Sequence, residues 1–193
     1  MDDDLQLDLF SQDRIRVREG FSALARLDLT GAAATFSEVL SRWPGHPDAS
    51  AGLRMAAAWA VSLEEVETLQ RQDAAAALWE RIKVYAFGQR GEASRRGLIR
   101  KAIALLEDDC YSYLPPDVCL GCFLLAVDDH GGAEAALRRL LERRPFDGRL
   151  WIYRALGRAE RGRAKCAHEE MVEQRRLLKQ LSPAVFREYM GRL

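Results

Sequence analysis

The feature that most limits what this chain can become is a spacing that occurs twice. In Leu120–Pro145, LGCFLLAVDDHGGAEAALRRLLERRP, Gly121 lies 24 residues before Pro145 and Ala133 lies 12 before it; Gly20 and Ala32 stand at the same distances from Pro44. Each position has a physical reason: small residues let two helices touch, large apolar residues fill the groove between them, and proline, which lacks the amide donor, ends the second helix. Ala133, Ala136, Leu137, Leu140 and Leu141 recur at helical intervals on one face, with Arg138, Arg139, Glu142 and Arg143 on the other. The spacing predicts two antiparallel helices joined at Asp129-His130-Gly131-Gly132, and a second copy of that pair near the start of the chain.

Helical patterns fill most of the remainder. One helix is expected from about Gln12–Ile15 to Leu27, and the next from Thr30, taken as its cap, through Ala32, Ala33, Phe36, Val39 and Leu40 to the stop at Trp43-Pro44-Gly45-His46-Pro47. A third covers Asp48 to about Val61. Ser62 and Glu65 form a capping-box pattern that predicts a fourth helix from Leu63, and Asp73 caps a fifth running to Phe87. The alternative is one helix from Leu63 to Phe87, because Gln70–Gln72 contains no breaker. Glu92–Glu107 follows, with Leu98, Ile99, Ala102, Ile103 and Leu106 on one face. Asp108–Pro116 reads as a loop whose prolines open the next helix. Beyond Pro145 a pair is expected at about Arg149–Glu160 and Arg163–Leu181, and a short capping helix after Ser182-Pro183 carries Val185, Phe186 and Tyr189.

At Leu120-Gly121-x2-Leu124, Ala133-x3-Leu137 and Pro145, and at Gly20-x2-Ala23, Ala32-x3-Phe36 and Pro44, the sequence resembles the tetratricopeptide repeat, a helix pair of about 34 residues. Pro44 and Pro145 are 101 residues apart (145 minus 44), one short of three such periods, and one period beyond Asp117, Ala133 and Leu137 lie Trp151, Ala167 and Met171. Asp117 stands where the family has Trp, and Arg154-Ala155 replaces Leu-Gly. The resemblance implies an all-α fold over residues 13–193: a right-handed superhelical stack of about five antiparallel pairs plus the C-terminal capping helix. It also implies a concave groove, lined by Val17, Phe21, Leu24, Val118, Cys122, Leu125, Ile152 and Leu156, that holds a peptide or a partner helix. A non-enzymatic adaptor is the expected function.

Residues 1–12 read differently, as a flexible acidic segment in which Leu5, Leu7 and Leu9 alternate with polar residues like an extended strand. Within it Gln6-Leu7-Asp8-Leu9-Phe10 resembles the pentapeptide by which bacterial proteins bind the sliding clamp of replication. That resemblance implies, as the alternative function, a replication or repair accessory recruited to the clamp. The chain has 29 basic and 29 acidic residues, but Ala135–Leu193 holds 15 of the bases and 7 of the acids. These arginines are interspersed with acids over several helices, the pattern of solvated faces, so nucleic acid is not the expected partner.

No apolar run is long enough to span a membrane, and the acidic start lacks the features of a signal peptide, so a cytoplasmic protein is expected. In a reducing compartment Cys110, Cys119, Cys122 and Cys166 are thiols. Cys119-x2-Cys122, with Cys110 and His130, invites a zinc reading, but there is no second Cys-x2-Cys and no paired histidines; core or groove thiols are expected and no metal. The histidines His46, His130 and His168 are scattered, Asp108-Asp109 and Asp128-Asp129 are adjacent acids at helix ends, and no phosphate loop or nucleophile elbow is present. The sequence therefore predicts no catalytic residue and no cofactor.

Overall fold

Asp28 shows how the chain makes its first corner. A computed structural model describes the backbone of residues 3–109 and 111–160, and side chains from residue 12 to 158. Helix α1, Asp3–Ala25, ends with Leu27 at φ 62°, where the Asp28 amide donates to the Ala23 carbonyl and the Leu27 amide to Leu24. This left-handed closure satisfies carbonyls that a helix end otherwise leaves open. The Asp28 carboxylate then accepts from the Gly31 amide at 2.9 Å and caps α2, Leu29–Arg42. Thr30, the cap expected from sequence, lies inside the helix.

The same corner recurs 101 residues later (129 minus 28). Asp128 sits at φ 65°, the Asp129 amide donates to Leu124, and the Asp129 carboxylate caps α7, His130–Arg143, through the Gly132 amide at 2.9 Å. Trp43 and Arg144 end the two helices in matching conformations, and α3, Pro47–Glu67, and α8, Gly148–Glu160, start one offset apart. Among the described residues the protein is mostly helical, with eight helices packed in sequential pairs. The chain divides into two compact units, residues 1–105 and 106–193.

In unit 1, Phe36 on α2 is fully buried against Gly20 of α1 and Gly52 of α3, and meets Phe21 edge-on at 5.1 Å. Helix α3 continues through the expected break at Ser62. Its buried stripe of Met55, Ala56, Trp59, Leu63 and Val66 keeps helical register across that serine, and burial of the stripe outweighs the local capping signal. The break comes at Thr68, whose hydroxyl donates to the Glu65 carbonyl, with Gln70 extended after it. This excludes the single long helix as well; α4 is Arg71–Val84, and Asp73 falls in its first turn rather than at its cap. Helix α5, Glu92–Leu106, lies where the pattern placed it, with Leu98, Ile99, Ala102, Ile103 and Leu106 buried.

In unit 2 a small antiparallel ladder pairs β1 Tyr113–Leu114, in the expected loop, with β2 Val118–Cys119, where a helix was expected; a cis Pro115-Pro116 bond lies at its turn. Helix α6 is only Leu120–Leu125. The prolines do not open it: they lie at the turn of the ladder, and β2 separates them from the helix start. At the other end of the chain, residues 3–12 are the first turns of α1 rather than an extended segment. Leu5 and Leu9 suit a helix as well as a strand, and the acids Asp2 to Asp4 favour a helix N-terminus. The expected helices at Arg163–Leu181 and after Ser182, with Ala167 and Met171, lie outside the described residues, as do Cys110, Cys166 and His168.

Candidate functional site

Three turns of chain meet around a polar cavity in unit 1. Asp13, Arg14 and Val17 come from α1, His46 and Asp48 from the start of α3, and Arg90 from the loop between α4 and α5; they line about 430 Å³. His46 caps α3, its Nδ1 accepting from the Ala49 amide at 3.3 Å. Its other nitrogen, Nε2, therefore carries the proton and faces Asp13 Oδ2 at 3.5 Å. The second Asp13 oxygen accepts from the Arg14 amide at 2.6 Å. Arg90 and Asp48 pair at 2.9 Å on the rim. The Arg14 guanidinium has no ion-pair partner among the described residues. The cavity thus has acid–base pairs on its walls, an apolar patch at Val17, and one cation, Arg14, without an ion pair among the described residues.

The residues expected to line a groove divide by burial. Val17, Leu24, Val118 and Cys122 are buried, Phe21, Leu125 and Ile152 are partly exposed, and Leu156 is half exposed. Of these, only Val17 lines this cavity. Sequence reasoning missed Asp13, Arg14, Asp48 and Arg90 and read His46 only as one of three scattered histidines; they come from three separate segments, and a long-range meeting of this kind has no periodic signature. Gln6, Leu7, Asp8, Leu9 and Phe10 belong by backbone to α1, and their side chains lie outside the described residues.

A second constellation lies in unit 2. The sulfurs of Cys119, the residue that precedes α6, and Cys122, in its first turn, are 3.3 Å apart. Around them are Tyr113, Leu137, Leu140, Leu141 and Leu150, with Tyr153 packed against the cluster. The Cys119 thiol is held below its ordinary pKa, first by its hydrogen bond with Cys122 and then by the backbone of Cys122 and Gly121, which together outweigh burial. Cys122 is pushed up by the same hydrogen bond with Cys119 and by burial. Burial also moves the Tyr153 phenol up to about 12, helped by the neighbouring thiols and Asp117. Tyr153 donates to the Pro116 carbonyl at 3.4 Å.

The zinc reading gains nothing from this geometry. Among the described residues no three His, Cys, Asp or Glu side chains gather as a metal site would require. Nor is any described helix long and apolar enough to cross a membrane. Compared with protein-family models, curated proteins and solved structures, the chain matches none.

Proposed function

We propose that the chain is a tetratricopeptide-like helical scaffold that acts as a non-enzymatic adaptor and binds a peptide carrying an acidic residue. The observation that carries this reading is the repeated corner. α1–α2–α3 and α6–α7–α8 share their left-handed closure, their aspartate cap and their small-residue helix contact at one offset of 101 residues (129 minus 28). Repetition of one helix-pair corner supports a binding scaffold, the use to which helix-pair repeats lend themselves.

Within unit 1 the partner's place is the cavity at Asp13, Arg14, Val17, His46, Asp48 and Arg90. Arg14, which has no ion pair among the described residues, supplies the positive charge and Val17 the apolar contact, a combination suited to an acidic side chain or carboxylate on a short peptide. Affinity purification from native lysate tests the reading. A protein retained by wild type and lost by Arg14→Glu, but kept by Arg138→Glu on α7, supports it; equal retention by both variants overturns it.

The pentapeptide Gln6–Phe10 carries a second reading, recruitment to a sliding clamp. Leu9→Ala with Phe10→Ala then abolishes capture on immobilised clamp, and unchanged capture discards the motif.

A further inference from the structure

Pairs of cysteines spaced three apart are common in helices, and most do nothing. Cys119 and Cys122 differ in their geometry. A disulfide needs its sulfurs about 2.05 Å apart, and these lie at 3.3 Å in the folded chain, each the other's hydrogen-bond partner. Closing the bond asks for a shift of little more than an ångström, within the reach of side-chain rotation. Both thiols are free and buried.

The packing of a helix pair does not by itself require sulfur here. One offset earlier, the equivalents of Cys119 and Cys122 are Arg18, which is exposed, and Phe21, which packs edge-on against Phe36. The corner closes equally well around them. The two thiols therefore belong to unit 2 alone, where the hairpin β1–β2 replaces the first turns of a long helix. Cys119 ends that hairpin, and Cys122 opens the core cluster with Leu137, Leu140 and Leu150.

We propose that Cys119 and Cys122 are a redox-active dithiol that reduces a small-molecule disulfide and closes to an intramolecular disulfide. In the first step the Cys119 thiolate attacks one sulfur of the disulfide, forming a Cys119 mixed disulfide and releasing one thiolate. In the second, Cys122 gives up its proton and attacks the Cys119 sulfur; the Cys119–Cys122 bond forms and the second small thiolate leaves. Two electrons pass from the protein to the small molecule, and the two protons lost by the cysteines appear on its two thiols. The lowered pKa of Cys119 fits it to the first step, and the raised pKa of Cys122 keeps it protonated until its neighbour is modified. Cys119 lies at the end of a ladder of only two residue pairs, Tyr113 with Cys119 and Leu114 with Val118.

The test equilibrates the full chain in mixtures of reduced and oxidised glutathione, quenches with acid, and maps free and bonded thiols by mass spectrometry. The same titration is run on the chain unfolded in urea. Because the folded chain holds the sulfurs together, half-oxidation of Cys119–Cys122 is expected at a level of oxidised glutathione at least about tenfold lower than in the unfolded chain. Reduction by dithiothreitol reverses it, and Cys122→Ser stops at the mixed disulfide on Cys119. Three results overturn the proposal: equal or easier oxidation of the unfolded chain, oxidation that joins either residue to Cys110 or Cys166, or mixed disulfides on wild type that never close. A Cys110→Ser, Cys166→Ser chain, in which only the proposed pair remains, repeats the titration without competing thiols.

Discussion

Replacing Gly20 by alanine is a small change that the packing of α1 on α2 makes costly. A methyl group built there would lie 2.6 Å from Cε1 and 2.7 Å from Cζ of Phe36, about an ångström inside ordinary carbon contact. Phe36 cannot retreat, because its ring is fully buried and Gly52 of α3 closes its other side as tightly. Overpacking of this kind costs about 1–3 kcal/mol, whereas alanine in place of glycine in an exposed helix gains about 1 kcal/mol. The two effects have opposite signs, which makes the experiment decisive. Gly20→Ala is expected to lose up to about 2 kcal/mol net in urea unfolding followed by far-ultraviolet circular dichroism. Phe36→Ala alone should cost about 3–5 kcal/mol through the cavity it leaves. In the double variant the added methyl occupies part of that cavity, so the combined loss should fall short of the sum of the single losses. A Gly20→Ala protein more stable than wild type, or strictly additive losses, would refute the sandwich of Phe36 between two glycines.

Three further outcomes follow from the corners and the ion pairs. Asp28→Ala and Asp129→Ala each remove the acceptor for a helix-start amide, and each should cost about 1 kcal/mol, measured by urea unfolding, with the corresponding asparagine variants near wild type. Glu134 on α7 accepts from Arg154 at 2.9 Å and Arg158 at 2.7 Å, all three side chains being mostly buried; Glu134→Gln should lose about 1–2 kcal/mol. Burial opposes the ionised form of Glu134, but the two arginines outweigh it and hold the carboxyl below its ordinary value of 4.5. A depressed folded pKa means that this contribution is fully present above that value and disappears as the pH falls through the lower folded one. The stability gap between wild type and Glu134→Gln should therefore be constant near neutrality and close only in acid, which thermal melts across the acid range would show.

How much of this could be read in advance depends on the range of the interaction. The α7 stripe of Ala133, Ala136, Leu137, Leu140 and Leu141 is a local pattern, and all five residues are buried. The glycine–alanine–proline spacing marked the contact of Gly121 with Leu137 and of Gly20 with Phe36, because close helix approach admits few residue types. The Ser62 cap was misleading, since burial of Leu63 and Val66 decides between two locally acceptable structures. Pro115-Pro116 marked a start that became a hairpin, and Leu5 to Leu9 alternated like a strand yet joined α1. The cavity was the least legible: Asp13, His46 and Arg90 are far apart in sequence and meet only through tertiary packing. The aspartates that cap α2 and α7 were legible in principle as Asp-x2-Gly preceding an apolar stripe, a signal that the neighbouring Thr30 obscured at α2.

The claim that unit 1 holds a peptide at its cavity is tested most directly by site-specific photocrosslinking in living cells. A photoreactive side chain placed at position 14, on the cavity wall, is expected to yield a discrete adduct with a partner protein, and the same group at position 138 on α7 none. An adduct from both positions, or from neither, would contradict the assignment of the cavity as the binding site.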